Sequence, residues 1–202
     1  MPGLFTLHRP ATARLLIVPG LHNSDASHWQ TWLQGLHRHS QRVEQRDWAT
    51  PDLACWSARL TNTLDRSGPR PWIAVAHSFG CLALVHHLAS QPATPIHAAL
   101  LVAAAEPHRF GLTERLPHTR LPVMSTVVAS QTDPWMSAAS AQRWAGRWGS
   151  HWINLGDAGH INSEAGFGPL PLARRWVMVM EQRLARQQYP VRASFSEWQF
   201  AT

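Results

Sequence analysis

The sequence predicts an α/β fold: a three-layer α/β/α sandwich with about six mostly parallel strands. Two observations carry this expectation. Short continuous apolar runs, such as LLIV at 15–18 and WIAVA at 72–76, read as strands buried on both faces. The stretches between them are too long for hairpins and carry helical periodicity, so successive strands should be joined by crossovers.

The elements follow in order. Residues 15–18 form a first strand, stopped by Pro19-Gly20. Ser24, Asp25 and Ser27 each offer a helix N-cap, and Trp29, Trp32, Leu33 and Leu36 then recur at helical spacing. Residues 42–48 alternate weakly, as an edge strand would. Leu53, Trp56, Leu60 and Leu64 make the stripe of a second helix, ended by Ser67-Gly68-Pro69. Residues 72–76 read as a strand, 79–89 as a helix, and 96–105 and 123–129 as two further strands. A helix over 137–148, a short strand over 152–155 and a long helix over 172–188 complete the pattern. Residues 189–202 show no assignable periodicity. No composition shift or repeat divides the chain, so 1–202 is expected to be one domain.

Composition excludes several classes of function. No apolar run reaches the roughly 18–20 residues of a bilayer span, so no membrane association is expected. The first residues lack a basic segment followed by a long apolar one, so no secretory signal is read there. Cys55 and Cys81 form no metal-ligand pattern, and a cytoplasmic location is expected. All 18 basic residues are arginine and the net charge is +6. They are scattered, apart from the Arg174-Arg175 pair, so no nucleic-acid surface is expected.

In a parallel sheet, ligands bind beyond the carboxyl ends of the strands. The residues just past those ends are therefore the ones to read. Pro19-Gly20-Leu21-His22-Asn23 follows the first strand, and His77-Ser78-Phe79-Gly80 follows the strand at 72–76. Ser130-Gln131-Thr132-Asp133-Pro134 follows the strand at 123–129, and Gly156-Asp157-Ala158-Gly159-His160 follows the last. A serine, an acid and a histidine thus appear in that chain order, each at a different strand end. A serine hydroxyl needs a base to become a nucleophile, and a base of this kind needs an acid to orient it. Ser78, His160 and Asp133 fit those roles. Asp157 is a rival acid, but three residues before His160 it is better placed to cap the turn.

Ser78 should sit on a tight strand-to-helix turn, where residues two before and two after must be small. Gly80 meets this. Ala76 stands where glycine is usual and adds one methyl group. Phe79 N–H, opening the next helix, and Leu21 N–H are the expected donors to an oxyanion. His22, Asn23, His28 and Trp135 are expected to line the substrate site, with His28 also placed to brace the loop behind the oxyanion donors. Strand alternation turns His77 away from Ser78 into packing. Asn162 and Ser163 should hold the His160 loop by hydrogen bonds.

The stretches VPGLHNSDASHWQTWL, VAHSFGCLA, LLVAAAEP, VVASQTDPW and LGDAGHINSEAGFGPLP resemble the serine hydrolase family of the retinoblastoma-binding protein 9 and YdeN type. They span residues 15 to about 171. The resemblance implies a minimal α/β-hydrolase without a cap domain, with Ser78, Asp133 and His160 as its triad. No cofactor and no metal are expected, and the expected partner is a small-molecule acyl substrate. The segment at 106–122 is too short for a cap, which agrees. The Leu-x-Cys-x-Glu motif of the retinoblastoma-binding member is not matched: Leu53-Ala54-Cys55-Trp56-Ser57 lacks the glutamate, so that partner is not carried over and no protein partner is predicted. The expected activity is cleavage of carboxylic esters or related acyl bonds through an acyl-serine. Amide or peptide cleavage, acyl transfer and a non-catalytic binding role on the same fold are the alternatives.

Overall fold

The computed structural model describes residues 13–68 and 70–188. Pro69, read as part of a helix stop, and the unassigned 189–202 lie outside them. Six strands form one sheet: β1 (Arg14–Val18), β2 (Ser40–Arg42), β3 (Trp72–His77), β4 (Ile96–Val102), β5 (Met124–Ala129) and β6 (His151–Asn154). Their spatial order is β2-β1-β3-β4-β5-β6, and every neighbouring pair is parallel. Five helices flank it: α1 (Trp29–Gly35), α2 (Leu53–Asp65), α3 (Phe79–Ser90), α4 (Ala138–Trp148) and α5 (Pro171–Gln188).

Strand alternation divides the core into two layers. Leu16, Val18, Ala74 and Ala76 pack with α2, α3 and α4 on one face. Leu15, Ile17, Ile73 and Val75 pack with α1 and α5 on the other. The central strands are buried on both faces, which is why they read as unbroken apolar runs rather than alternating ones. Between β4 and β5 there are only two single-turn 3₁₀ helices, Pro107–Phe110 and Thr113–Arg115, and no cap.

Three expectations are corrected. The edge strand is Ser40–Arg42, not 42–48. After Val43 N–H bonds Ile17 O, the chain leaves the sheet, and Trp48 O accepts His22 N–H instead. The strand expected over 96–105 ends at Val102. Ala103 turns the chain with a φ of 47°, and Ala105 N–H then bonds Ser78 O. The N-cap of α1 is His28, whose Nδ1 accepts Gln30 N–H. Asp25 instead closes the preceding turn, accepting Ser27 N–H.

The tightest packing lies where β3 passes into α3. Ser78 has φ 52° and ψ −126°, a region that L-residues rarely occupy. A Cβ on Gly80 would lie 2.2 Å from Pro19 O and 2.6 Å from Val18 O. A Cβ on Gly20 would lie 2.7 Å from Ser78 Cβ. Ala76 is fully enclosed with its methyl in the core, so the unusual alanine is accommodated, and the critical missing side chains are those of Gly20 and Gly80.

Gly80→Ala should therefore cost at least the roughly 1–3 kcal/mol of an overpacked core. Gly146, on the exposed face of α4 with no atom near its would-be Cβ, is the control. Gly146→Ala should gain about 0.5–1 kcal/mol. Thermal melting of the two variants checks both signs.

Candidate active site

The four loops singled out beyond the strand ends do converge. Ser78 Oγ lies 3.0 Å from His160 Nε2. His160 Nδ1 lies 2.9 Å from Asp133 Oδ1 and 3.1 Å from Oδ2. A carboxylate accepts, so Nδ1 carries the proton and Nε2 faces the serine as the acceptor. Asp133 Oδ1 also accepts Trp135 N–H at 2.9 Å, and its side chain is almost wholly enclosed. A carboxylate with two fixed donors in a water-poor setting cannot swing away from the imidazole.

The acid and base loops are tied to each other. Leu155 N–H bonds Ala129 O, and Gln131 N–H bonds Gly156 O at 2.8 Å. Ser130, fully buried, donates to Gly156 O and accepts N–H bonds from Thr132 and Ala158. Thr132 Oγ1 donates to Asp157 Oδ1 at 2.7 Å and accepts Gly159 N–H. Asp157 thus braces the turn, as its spacing implied, and Asp133 meets His160.

On the far side of His160, Asn162 accepts N–H bonds from Ala165 and Phe167. Ser163 donates to Asp25 Oδ2 at 2.5 Å. The side chains of Asn162 and Ser163 thus each fasten the His160 loop by a hydrogen bond, as the sequence reading expected. Ile161 carries a φ of 47°, unusual for a β-branched residue. Its carbonyl accepts the indole N–H of buried Trp29 at 2.9 Å.

The loop after β1 supplies the opposite wall. His22 and Asn23 both have positive φ, 65° and 66°. Asn23 Oδ1 accepts Ser24 N–H and Arg42 at 2.9 Å, while Arg42 also reaches Ser24 O, Thr31 and Gln34. Gln30, fully buried, donates to Val18 O and Val75 O and accepts the Ser24 hydroxyl. It stitches β1, β3 and this loop together. Sequence reasoning passed over Gln30 and Arg42. The available signal was a glutamine on the same helical face as Trp29 and Leu33.

A cleft of about 330 Å³ opens onto Ser78 and His160. Leu21, Phe110 and Trp135 give it apolar walls, and His22, Asn23, His28, Asn162, Ser163 and Glu164 give it polar ones. Phe110, from the first 3₁₀ turn, packs edge-on against Phe79. Trp135 is 41% exposed at the rim, with the Arg109 guanidinium over its ring. All four residues expected to line a substrate site therefore border this cleft. His28 does so with its ring buried and Nδ1 already committed to the α1 cap. His77, expected to turn away into packing, is instead a further lining residue of this cleft, and its Nε2 lies 3.0 Å from His160 O.

The sequence profile of the serine hydrolase family matches residues 15–186. Among solved structures, a protein named as a YdeN-like hydrolase from Pectobacterium atrosepticum is 39% identical, with a TM-score of 0.76. That match covers 87% of this chain and 90% of the other. The ydeN gene product of B. subtilis shares the fold at 19% identity and a TM-score of 0.70, covering 85% and 100%. Est1E from Butyrivibrio proteoclasticus, solved with ferulic acid bound, shares it at 10% identity and 0.61, covering 89% and 90%. A search of curated proteins finds no match.

Three imidazoles, His28 and His77 at the site and His87 near the far end of α3, are held neutral by burial. Burial pushes His28 and His87 down to about 4, and His77 well below the usual imidazole range. The unfolded chain would bind protons at these positions below about pH 6.5 while the folded chain would not. Stability should fall as pH drops from about 6.5 toward 4, by up to ~1.4 kcal/mol per unit for each histidine. Melting curves at about pH 7.5 and about pH 5 test this, and an unchanged midpoint would contradict it.

Proposed function

The chain belongs to the serine hydrolase family, and on that premise we propose that it hydrolyses carboxylic esters through an acyl intermediate on Ser78. One observation carries the reading. Ser78 Oγ, His160 and Asp133 form a continuous hydrogen-bonded line of 3.0 and 2.9 Å, starting from a serine in a strained turn.

In this reading His160 Nε2 takes the Ser78 proton as Oγ attacks the acyl carbon. The carbonyl electron pair moves onto oxygen, and Phe79 N–H and Leu21 N–H receive the oxyanion. Phe79 N–H suits the role because the first N–H of a helix has no acceptor within the helix and stands at the positive end of its dipole. The tetrahedral adduct then expels the alkoxide, which leaves with the proton from His160. Water gives a proton to His160 and attacks the acyl-serine. The acid departs as Ser78 recovers its proton. Asp133 keeps Nδ1 protonated throughout and offsets the imidazolium charge.

The substrate is read as a small acyl compound, with Leu21, Phe110 and Trp135 against its apolar part and His22, Asn23 and His28 along its polar edge. The modest cleft and the two 3₁₀ turns in place of a cap support short acyl groups over long ones. Amide cleavage and acyl transfer to another acceptor would use the same three side chains, so amides and alternative acceptors belong in the substrate panel. A cytoplasmic setting is part of the same reading, supported by two cysteines that form no disulfide.

Ser78→Ala should lower p-nitrophenyl acetate turnover by on the order of 10⁴-fold or more while the melting temperature holds. A fluorophosphonate should label the wild-type protein at Ser78 and leave the variant unlabelled. Unchanged turnover in the variant would end the proposal. Across p-nitrophenyl esters, kcat/KM should be highest for acetate to butyrate and fall for long chains. A preference for palmitate would overturn the reading of the cleft.

A further inference from the structure

His77 closes β3 immediately before Ser78 and is 5% exposed. Its ring lies between two other imidazoles, with centroids 4.8 Å from His28, edge to face, and 4.8 Å from His160. Its Nε2 is 3.0 Å from the backbone carbonyl of His160. A carbonyl can only accept, so His77 must hold its proton on Nε2 and donate. Burial keeps the ring from taking a second proton, which would put a charge beside His160.

The carbonyl that His77 holds belongs to the residue whose ring must stand between Ser78 and Asp133. The next residue, Ile161, has a φ of 47° and a fully buried side chain. Such a conformation persists only where the surroundings over-determine it. Two consecutive carbonyls, those of His160 and Ile161, are each gripped by a buried ring N–H, from His77 and Trp29 respectively. The Trp29 grip comes from α1. The His77 grip comes from the strand end that carries Ser78, so it sets the nucleophile and the base at a fixed separation through two short links.

We infer that His77 is a positioning residue for this site: by donating Nε2–H to the His160 carbonyl it holds the strained His160–Ile161 backbone, and with it the imidazole, in line between Ser78 Oγ and Asp133. The inference rests on reading Ser78, His160 and Asp133 as the reacting groups. It adds a fourth side chain, which borders the cleft but acts through the His160 backbone rather than on the transferred proton.

Two variants separate this role from simple packing. His77→Phe keeps an aromatic ring of similar size and removes the donor. His77→Gln restores an amide N–H at about the reach of Nε2. The measurements are kcat and KM with p-nitrophenyl acetate, the rate of fluorophosphonate labelling at Ser78, and the melting temperature.

A displaced base should slow the chemical step and leave binding alone. His77→Phe should lose about 10- to 100-fold in kcat with KM within about threefold, and labelling should slow by a like factor. His77→Gln should recover most of that loss. A folded His77→Phe with wild-type kcat, a loss confined to KM, or a His77→Gln no better than His77→Phe would each overturn the inference. Should His77→Phe not fold, His77→Asn replaces it: its amide stops short of the carbonyl, and equal rates for the Asn and Gln variants would overturn the inference in the same way. Wild-type protein lacking Ser78-dependent turnover and labelling would instead end the serine reading itself. Normal wild-type activity with an unaffected His77→Phe would end only this one.

Discussion

The close approach of the β1 end to the β3–α3 turn is the contact on which the rest of the site depends. Two side chains are missing there because there is no room for them. Gly80 sets the first turn of α3 against the carbonyls of Val18 and Pro19, and Gly20 sets the loop after β1 against Ser78. This contact lets Ser78 keep a backbone geometry it would otherwise leave, and it sets the loop that carries Leu21, on the cleft wall, against the first turn of α3, which opens at Phe79. The strain is local and the restraint is distributed. Ser78 N–H bonds Val102 O, and Ser78 O accepts N–H bonds from Cys81 and Ala105.

The second half of the site is built differently. Asp133 and His160 stand on loops after neighbouring parallel strands, and those loops hold each other through Ser130, Thr132 and Gly156. Parallel pairing of β5 and β6 brings the two strand ends level, so an acid and a base 27 residues apart meet without a long reach. Buried polar groups of this kind stabilise only when satisfied, and Ser130 and Gln30 have every bond their surroundings demand. They act as polar pins inside an otherwise apolar core.

The sheet, the five helices and the convergence of Ser78, Asp133 and His160 were legible because each leaves a short-range mark: an apolar run, a helical stripe, or a reactive residue just past a strand. What stayed hidden depends on distance in the chain. The His77 partner is 83 residues away, and the Trp29 indole bonds a carbonyl 132 residues on. No local pattern reports such a pair. The α1 cap misled for another reason. Ser24, Asp25 and Ser27 are better capping types than histidine, but Asp25 is committed to closing the loop and holding Ser163, so His28 caps instead. The strand after 96 read too long because alanines 103–105 continue its apolar run, whereas the fold uses their small size to turn beneath Ser78.

The passage from β4 to β5 has a consequence for how this scaffold diversifies. Its two 3₁₀ turns put Phe110 on the cleft wall, and its backbone meets the acid loop through the bond from Glu106 N–H to Trp135 O. Most of the bonds that orient Asp133 and His160 come from elsewhere, from residues 129–132 and 154–159 and from His77 and Trp29, and the two systems meet at Trp135, whose N–H holds Asp133. In the proposed reading, catalysis and selectivity are thus carried by largely distinct stretches of chain that meet at Trp135. Lengthening this connection, or exchanging it for that of another member, would re-contour the entrance while leaving the reacting groups on their own supports. The fold in this form is a bare chassis, with the place where an enclosing subdomain would be grafted left short.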